Sequence, residues 1–182
     1  DNNYPFAGYK IILNEIYNRV LTSLGHKILD IGFGTGTLTT RLYEQGCEIY
    51  GQDFSEEMIN IARAKMPKAT LYSGDFTNGL VEPLRKQRYD AIIATYSLHH
   101  LDDEQKVLFI ESISLLLKED GIIYIGDVAF QTRKDLEDCK VKAGKYCDDE
   151  EFYFVYEELK EHLPNLTFEK YSFCSGLLTI SN

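Results

Sequence analysis

From position 28 to 39 the chain reads Ile28-Leu29-Asp30-Ile31-Gly32-Phe33-Gly34-Thr35-Gly36-Thr37-Leu38-Thr39, an apolar run that meets three closely spaced glycines and then a helical pattern. Lacking a Cβ, glycine turns sharply at positive φ and lets a ligand come within contact distance of the backbone. A helix opening near Thr37 aims its unpaired amides at the same point, which favours polar or anionic ligand groups there. Asp53 closes the next apolar run, and a carboxylate in that place can accept hydrogen bonds from both hydroxyls of a ribose. Asp75, in Gly74-Asp75-Phe76, could accept from an adenine amine, and Phe54 and Phe76 could offer apolar faces to the ring. An adenosine site built from three loops is the expectation.

Each of these residues also has a local role open to it. Asp53 could only cap the helix that follows, and Asp75 a local turn. The spacing of Asp53 from the glycine turn, about twenty residues, favours the nucleoside role. The loop Tyr96 to Leu101 carries His99 and His100. An imidazole titrates near neutral pH and can take a proton from a nucleophile, so His99 is a candidate base or a structural residue, and His100 is read as structural. Phe152-Tyr153-Phe154-Val155-Tyr156 reads as helix core, and Asp102-Asp103-Glu104 and Asp148 to Glu151 as solvated charge; no metal site is expected.

The elements that must position these residues alternate between strand and helix, the pattern of a doubly wound α/β sheet with helices on both faces. A helix from about Ala7 to Leu24, with Ile11, Ile12, Ile16, Val20 and Leu24 at helical spacing, stops at Gly25. Strands are expected at Lys27 to Ile31, Glu48 to Gln52, Thr70 to Ser73, Tyr89 to Thr95 and Ile122 to Val128. Helices are expected at Thr37 to Gln45, from Ser55 to Lys65, and from Asp102 or Asp103 to Lys118. The segment from Gln131 to Lys145 is partly helical, Glu150 to Glu161 reads as a helix, and two strands, Leu166 to Phe173 and Leu177 to Ile180, are split by a turn at Ser175-Gly176. In open sheets of this kind ligands bind beyond the carboxyl ends of the strands, where the chain order reverses, and the unusual residues sit at those ends.

The 182 residues, 44% hydrophobic, suit one domain spanning 1–182. A net charge of -10 would repel a phosphate backbone, so nucleic acid is an unlikely partner in this reading and a small molecule a better one. No apolar run approaches the roughly 18 residues of a membrane span, so no membrane partner is expected and a cytoplasmic protein, monomeric or homodimeric, is. The scattered Cys47, Cys139, Cys147 and Cys174 suit reduced structural thiols.

The chain resembles the class I S-adenosylmethionine-dependent methyltransferases, and the resemblance runs from Lys27 to the last strands. It rests on Leu29-Asp30-Ile31-Gly32-Phe33-Gly34-Thr35-Gly36, on Asp53, on Gly74-Asp75-Phe76, and on Tyr89-Asp90-Ala91-Ile92-Ile93-Ala94-Thr95-Tyr96-Ser97-Leu98-His99-His100-Leu101. Leu115-Leu116-Leu117-Lys118-Glu119-Asp120-Gly121 is similar to the family's turn before strand five, with Glu-Asp in place of Pro-Gly. The His-His-Leu loop looks most like that of small-molecule methyltransferases. The resemblance implies a Rossmann-like sheet of about seven strands with an antiparallel last strand, and S-adenosyl-L-methionine converted to S-adenosyl-L-homocysteine. It places Asp30, Gly32 and Gly34 around the methionine moiety, Asp53 and Phe54 at ribose and adenine, Asp75 and Phe76 at the adenine edge, and Ala94, Thr95 and Tyr96 at the sulfonium and amino end. Residues 1–25 would form a lid helix, with Tyr4, Phe6 or Tyr9 near the substrate, over a cofactor-binding core of 26–182.

The acceptor would be a small molecule, since the Asn/Asp-Pro-Pro-aromatic motif of nucleic-acid methylation is missing at Ala94 to Ser97. A competing reading is an NAD(P)-dependent oxidoreductase, whose G-x-G-x-x-G fingerprint needs glycine where this chain has Thr37. A non-catalytic S-adenosylmethionine-binding regulatory protein is the third.

Overall fold

Short β-branched runs alternate with amphipathic stretches, and the chain accordingly forms one sheet with helices on both faces. The structure, a computed structural model, describes residues 3–146 and 150–181. The strands are β1 (Lys27–Ile31), β2 (Glu48–Asp53), β3 (Thr70–Ser73), β4 (Tyr89–Thr95), β5 (Leu117–Phe130), β6 (Phe154–Val155), β7 (Leu166–Lys170) and β8 (Ser175–Ser181). The α-helices are α1 (Tyr9–Thr22), α2 (Thr37–Glu44), α3 (Glu56–Lys65), α4 (Glu82–Arg85), α5 (Asp103–Ser114), α6 (Arg133–Ala143) and α7 (Tyr156–His162). The strand order is β3-β2-β1-β4-β5-β8-β7, with β6 paired to β5 off that path. β8 is antiparallel to β5 and β7, and all other pairs are parallel. The order reverses between β1 and β4, which places a crevice at their carboxyl ends.

Successive strand residues serve opposite faces. Leu29 and Ile31 of β1, with Ile92 and Ala94 of β4, pack with Ile110 and Ile113 of α5. Ile28, Ala91 and Ile93 pack on the other face with Ile12, Ile16 and Val20 of α1 and Ile59 of α3. Leu24, expected in the apolar stripe of the first helix, lies beyond its end and is exposed, while Leu13 is buried instead. Helix starts follow capping chemistry: Ser55 Oγ accepts from Met58 N, and Asp102 and Gln105 form a reciprocal capping box. The Asp102-Asp103 pair is thus a helix start, as the sequence suggested.

Three boundaries differ from expectation. The aromatic run at 152–156 is not helix interior: Phe154 and Val155 pair in parallel with Ala129 and Phe130, as aromatic and β-branched residues favour, and α7 starts only at Tyr156. The closing hairpin turns at 171–174 rather than at Ser175-Gly176. Gly176 lies inside β8 because a Cβ there would stand 2.2 Å from Phe168 Cε2, so this glycine marks close cross-strand packing and not a turn. The helix α5 ends at Ser114, and β5 begins at Leu117, opposite Tyr89, before residues 118–121 bulge out and the register resumes at Ile122 opposite Ala91. Cys47, Cys139 and Cys174 are buried, and Cys147, like Asp148, lies outside the described residues. Among the described residues no helix is long and apolar enough to cross a membrane.

Candidate active site

At the end of β1 the backbone turns through Gly32, Gly34 and Gly36, all at positive φ, before α2 begins. Gly32 N donates to Gln52 O (2.8 Å), and Ser97 Oγ, in the loop after β4, donates to Ile31 O (2.8 Å). These bonds bring the ends of β1, β2 and β4 together. A Cβ on Gly32 would lie 2.5 Å from Ser97 Cβ, whereas one on Gly34 would meet nothing within 4 Å. Gly32 is therefore required by packing, and Gly34 faces open space.

That space is a cleft of about 680 Å³, a size suited to a small ligand. The expected residues Asp30, Gly32, Gly34, Thr95 and Tyr96 line it. So do Tyr4, Phe6 and Tyr9 from the N-terminal segment. The body of α1 packs on the sheet, and the residues leading into it form the cleft wall. Phe6 and Tyr9 lie 6.0 Å and 5.1 Å from the Tyr96 ring, centroid to centroid. Tyr96 holds φ 52, the one positive-φ residue other than glycine among those described, fixed by its N–H on Gly126 O (2.8 Å). Burial raises the pKa of its hydroxyl, so it enters the site as a neutral phenol.

Asp53 stands behind the glycine turn and does not line the cleft. Its Oδ2 accepts from Gly34 N (2.8 Å) and its Oδ1 from Ser55 N (2.9 Å), so one buried carboxylate clasps two loops. A carboxylate has about four acceptor positions, and two remain. Asp75 is exposed, and Thr77 hydroxyl and amide bonds to Oδ1 hold its pKa below the ordinary value. Phe54 is 69% exposed at the end of β2. The Phe76 ring instead sits in the core, 6.0 Å from Phe109, so it offers no open face.

Asp30 is 1% exposed; Thr39 Oγ1 donates to its Oδ2 at 2.5 Å, and its Oδ1 has no partner. Burial pushes its pKa up to about 7, with the Thr39 bond opposing and the Asp53 charge adding to the rise. A carboxyl raised in the folded state costs stability as pH climbs from its unfolded value of about 3.9 toward about 7, and the cost is constant above that. Asp30→Asn should therefore gain on wild type by an amount that grows from pH 5 to pH 8, approaching roughly 4 kcal/mol. Urea denaturation of both proteins at the two pH values measures this, and a pH-independent difference would count against it.

His99 does not line the cleft. Its Nδ1 lies 2.8 Å from Asp127 Oδ1 and its Nε2 3.5 Å from Glu151 Oε1, and it is buried. Burial opposes its charged form, but the Asp127 hydrogen bond and the charges of Asp127 and Glu151 outweigh that and Lys106, so its pKa is raised. Glu151 Oε2 accepts from Tyr153 OH (2.7 Å), and Tyr153 OH accepts from Tyr4 OH (2.5 Å). A chain of polar contacts thus runs from Asp127 to Tyr4 in the cleft wall, hydrogen-bonded at every link except His99 to Glu151, which is a charge contact at 3.5 Å. His100 is exposed, with its ring 4.5 Å from that of His99.

Sequence reasoning missed several residues. Met58 lines the cleft from the first turn of α3, and an apolar residue on the turn just after Asp53 was a usable signal. Gln52 is fully buried, donating to Gly79 O (3.1 Å) and accepting from Val81 N (2.8 Å), and so holds the loop after β3. Lys106 is fully buried, its ammonium on Asp103 Oδ1 (3.1 Å) and Phe152 O (2.5 Å). Nothing local marks either of the last two as buried.

A doubly wound sheet with a glycine cradle over its switch point defines a Rossmann-like domain with one ligand cleft at the strand ends. Residues 28–121 match the model of the methyltransferase domain family. An uncharacterized methyltransferase of Oceanobacillus iheyensis is 32% identical over 163 residues, covering 88% of this chain and 75% of that protein. One from Anoxybacillus flavithermus is 37% identical over 132 residues, 72% of this chain and 59% of that protein, so the chain spans about three-fifths of that relative. Magnesium protoporphyrin IX methyltransferase from Synechocystis PCC 6803, solved with bound SAH, shares the fold at TM-score 0.73 and 19% identity, over 96% of this chain and 84% of that one. A Pyrococcus horikoshii OT3 protein does so at TM-score 0.74 and 18% identity, over 99% and 92%. The chain belongs to the methyltransferase domain family.

Proposed function

We propose that this protein transfers a methyl group from S-adenosylmethionine to a small-molecule acceptor by in-line displacement. The observation that carries the reading is Asp30 Oδ1, a buried carboxylate oxygen without a partner in a residue that lines the cleft. Such an oxygen calls for a cationic or hydrogen-bond-donating ligand group, and an amino acid ammonium meets the need. Asp53 lies one hydrogen bond behind Gly34, and because no side chain fills the space at that glycine a ribose diol seated against the turn can approach its two open acceptor positions. When bound, S-adenosylmethionine supplies a methyl group on a positively charged sulfur, already activated for displacement.

The chain's own tasks are then to hold, orient and keep dry. Asp30, Gly32 and Gly34 hold the methionine end, Thr95 and Tyr96 flank the reacting end, and Asp53 takes the ribose. At the adenine end, Phe54 and Met58 offer apolar surface, Asp75 offers a carboxylate, and Phe76 supports them from the core. Phe6 and Tyr9 cover the Tyr96 ring and exclude water. His99 is buried beneath, where it orients Glu151 and through it Tyr153 and Tyr4, so that Tyr4 is the member of the chain that meets the acceptor. The sequence charge of -10 favours small acceptors over nucleic acid.

Calorimetry with S-adenosylmethionine and with NAD, followed by assay against pooled small metabolites for S-adenosylhomocysteine release, tests the proposal. Binding of the first and not the second, with release in at least one pool, is expected. Saturable NAD binding with no response to the methyl donor would overturn it.

A further inference from the structure

Beside the cleft lies a second cavity of about 610 Å³. The two share Asn3 and Tyr4, so a molecule held in the second cavity can present an atom at the wall of the first. We propose that this second cavity is the acceptor site and that it takes a flat aromatic molecule carrying an anionic group. The inference rests on the methyltransferase reading and adds a substrate class to it.

The walls argue for a ring. Tyr4, Tyr146 and Phe173 come from three separate parts of the chain and meet here, with Ala143 leaving room between them. Tyr146 is 71% and Phe173 51% exposed, and aromatic rings left this open around a concave space gain apolar contact when a planar molecule enters. A face for a larger protein partner would be flatter than a cavity that shares Asn3 and Tyr4 with the cofactor cleft.

The charge argues for an anion. Lys142 lines the cavity and has no carboxylate partner among the described residues. Lys140, on the same last turn of α6, has its ammonium 5.9 Å from the centre of the Tyr153 ring. At the start of the same helix Arg133 pairs with Glu158 and Lys134 with Asp138. In a chain with 29 acidic and 19 basic side chains, Lys142 at an aromatic-walled cavity, with Lys140 on the same turn, makes a local positive spot in a negative protein. The helix dipole favours basic residues at that end of α6, and it gives no reason for the aromatic walls. Carboxylates and phenolates have the complementary charge, and an oxygen, nitrogen or carbon nucleophile on the same ring system would lie toward Tyr4.

The test uses the whole protein saturated with S-adenosylhomocysteine and two probes of one shape, 2-naphthoate and its neutral amide, 2-naphthamide, followed by ligand-detected NMR titration. Saturable binding of naphthoate is expected, about fivefold tighter than the amide. Lys142→Gln should remove most of that preference and leave the amide within about twofold. Phe173→Ala and Tyr146→Ala, at exposed positions where folding is safe, should weaken both probes about tenfold. S-adenosylhomocysteine affinity should stay unchanged in all three variants, since none of these residues lines its cleft. Absence of saturable naphthoate binding, or equal binding of acid and amide with Lys142→Gln silent, overturns the inference and leaves the methyltransferase reading standing. Failure of S-adenosylhomocysteine itself to bind overturns that reading and this inference with it.

Discussion

Asp53→Ala will weaken S-adenosylhomocysteine binding by about 100-fold or more, because two hydrogen bonds to a charged acceptor are worth roughly 3 kcal/mol together even at the low end. The substitution also strips Gly34 N and Ser55 N of their acceptor, so the glycine turn loses the bond that holds its shape. A loosened start of α3 alone would imitate the result, and Ser55→Ala, which keeps both backbone bonds to Asp53 and loses only the side-chain cap, tests that part. That variant removes the helix cap on Met58 N at a cost of about 1 kcal/mol and should leave binding within about twofold. Calorimetric titration of both variants decides: equal losses of affinity would mean that Asp53 acts only through the start of α3.

Gly32→Ala will lower the melting temperature far more than Gly34→Ala, although the two positions look alike in the sequence. Both backbones sit at positive φ, which costs an alanine roughly 1 kcal/mol. Only at Gly32 does the new methyl also strike Ser97 Cβ, at 2.5 Å, and forcing atoms into such a place costs a further 1–3 kcal/mol or about that. The sum of roughly 3 kcal/mol corresponds to a fall of about 6–12 °C for a domain of this size, against about 2–4 °C at Gly34. Gly34→Ala should instead damage binding, since its methyl would stand in the cleft. Differential scanning calorimetry with and without S-adenosylhomocysteine shows both effects, and matched falls at the two positions would refute the distinction.

The difference between these glycines also marks where the sequence stops being informative. Period and punctuation carried the sheet: β1, β3 and β4 lie where short apolar runs end in glycine or charge, and Ser55 and Asp102 start helices by a local rule. Cleft-lining residues at strand ends were legible for the same reason, since Asp30, Gly32, Gly34, Thr95 and Tyr96 are placed by topology and do line the cleft. What failed depended on distant partners. Gly176 reads as a turn until the ring of Phe168 is seen across the strand, and 152–156 reads as helix until β5 offers it an edge. His99 looks like a loop base, yet Asp127, 28 positions away, draws its ring inward, and Glu151 holds the other nitrogen. The Phe76 ring, aromatic next to a plausible adenine ligand, was claimed by Phe109 and the core.

The close seating of α1 on the sheet has a consequence for traffic. Position 126 of β5 must be glycine because any larger residue would strike Ile12 Cγ2, at 2.4 Å, and Arg19 at the far end of the same helix is forked onto Glu169 of β7. A rod pinned at both ends cannot swing, and the residues leading into it are tethered too, Ala7 O by Ser175 Oγ (2.5 Å) and Tyr4 OH by Tyr153 OH (2.5 Å), so the doorway keeps its shape while ligands come and go.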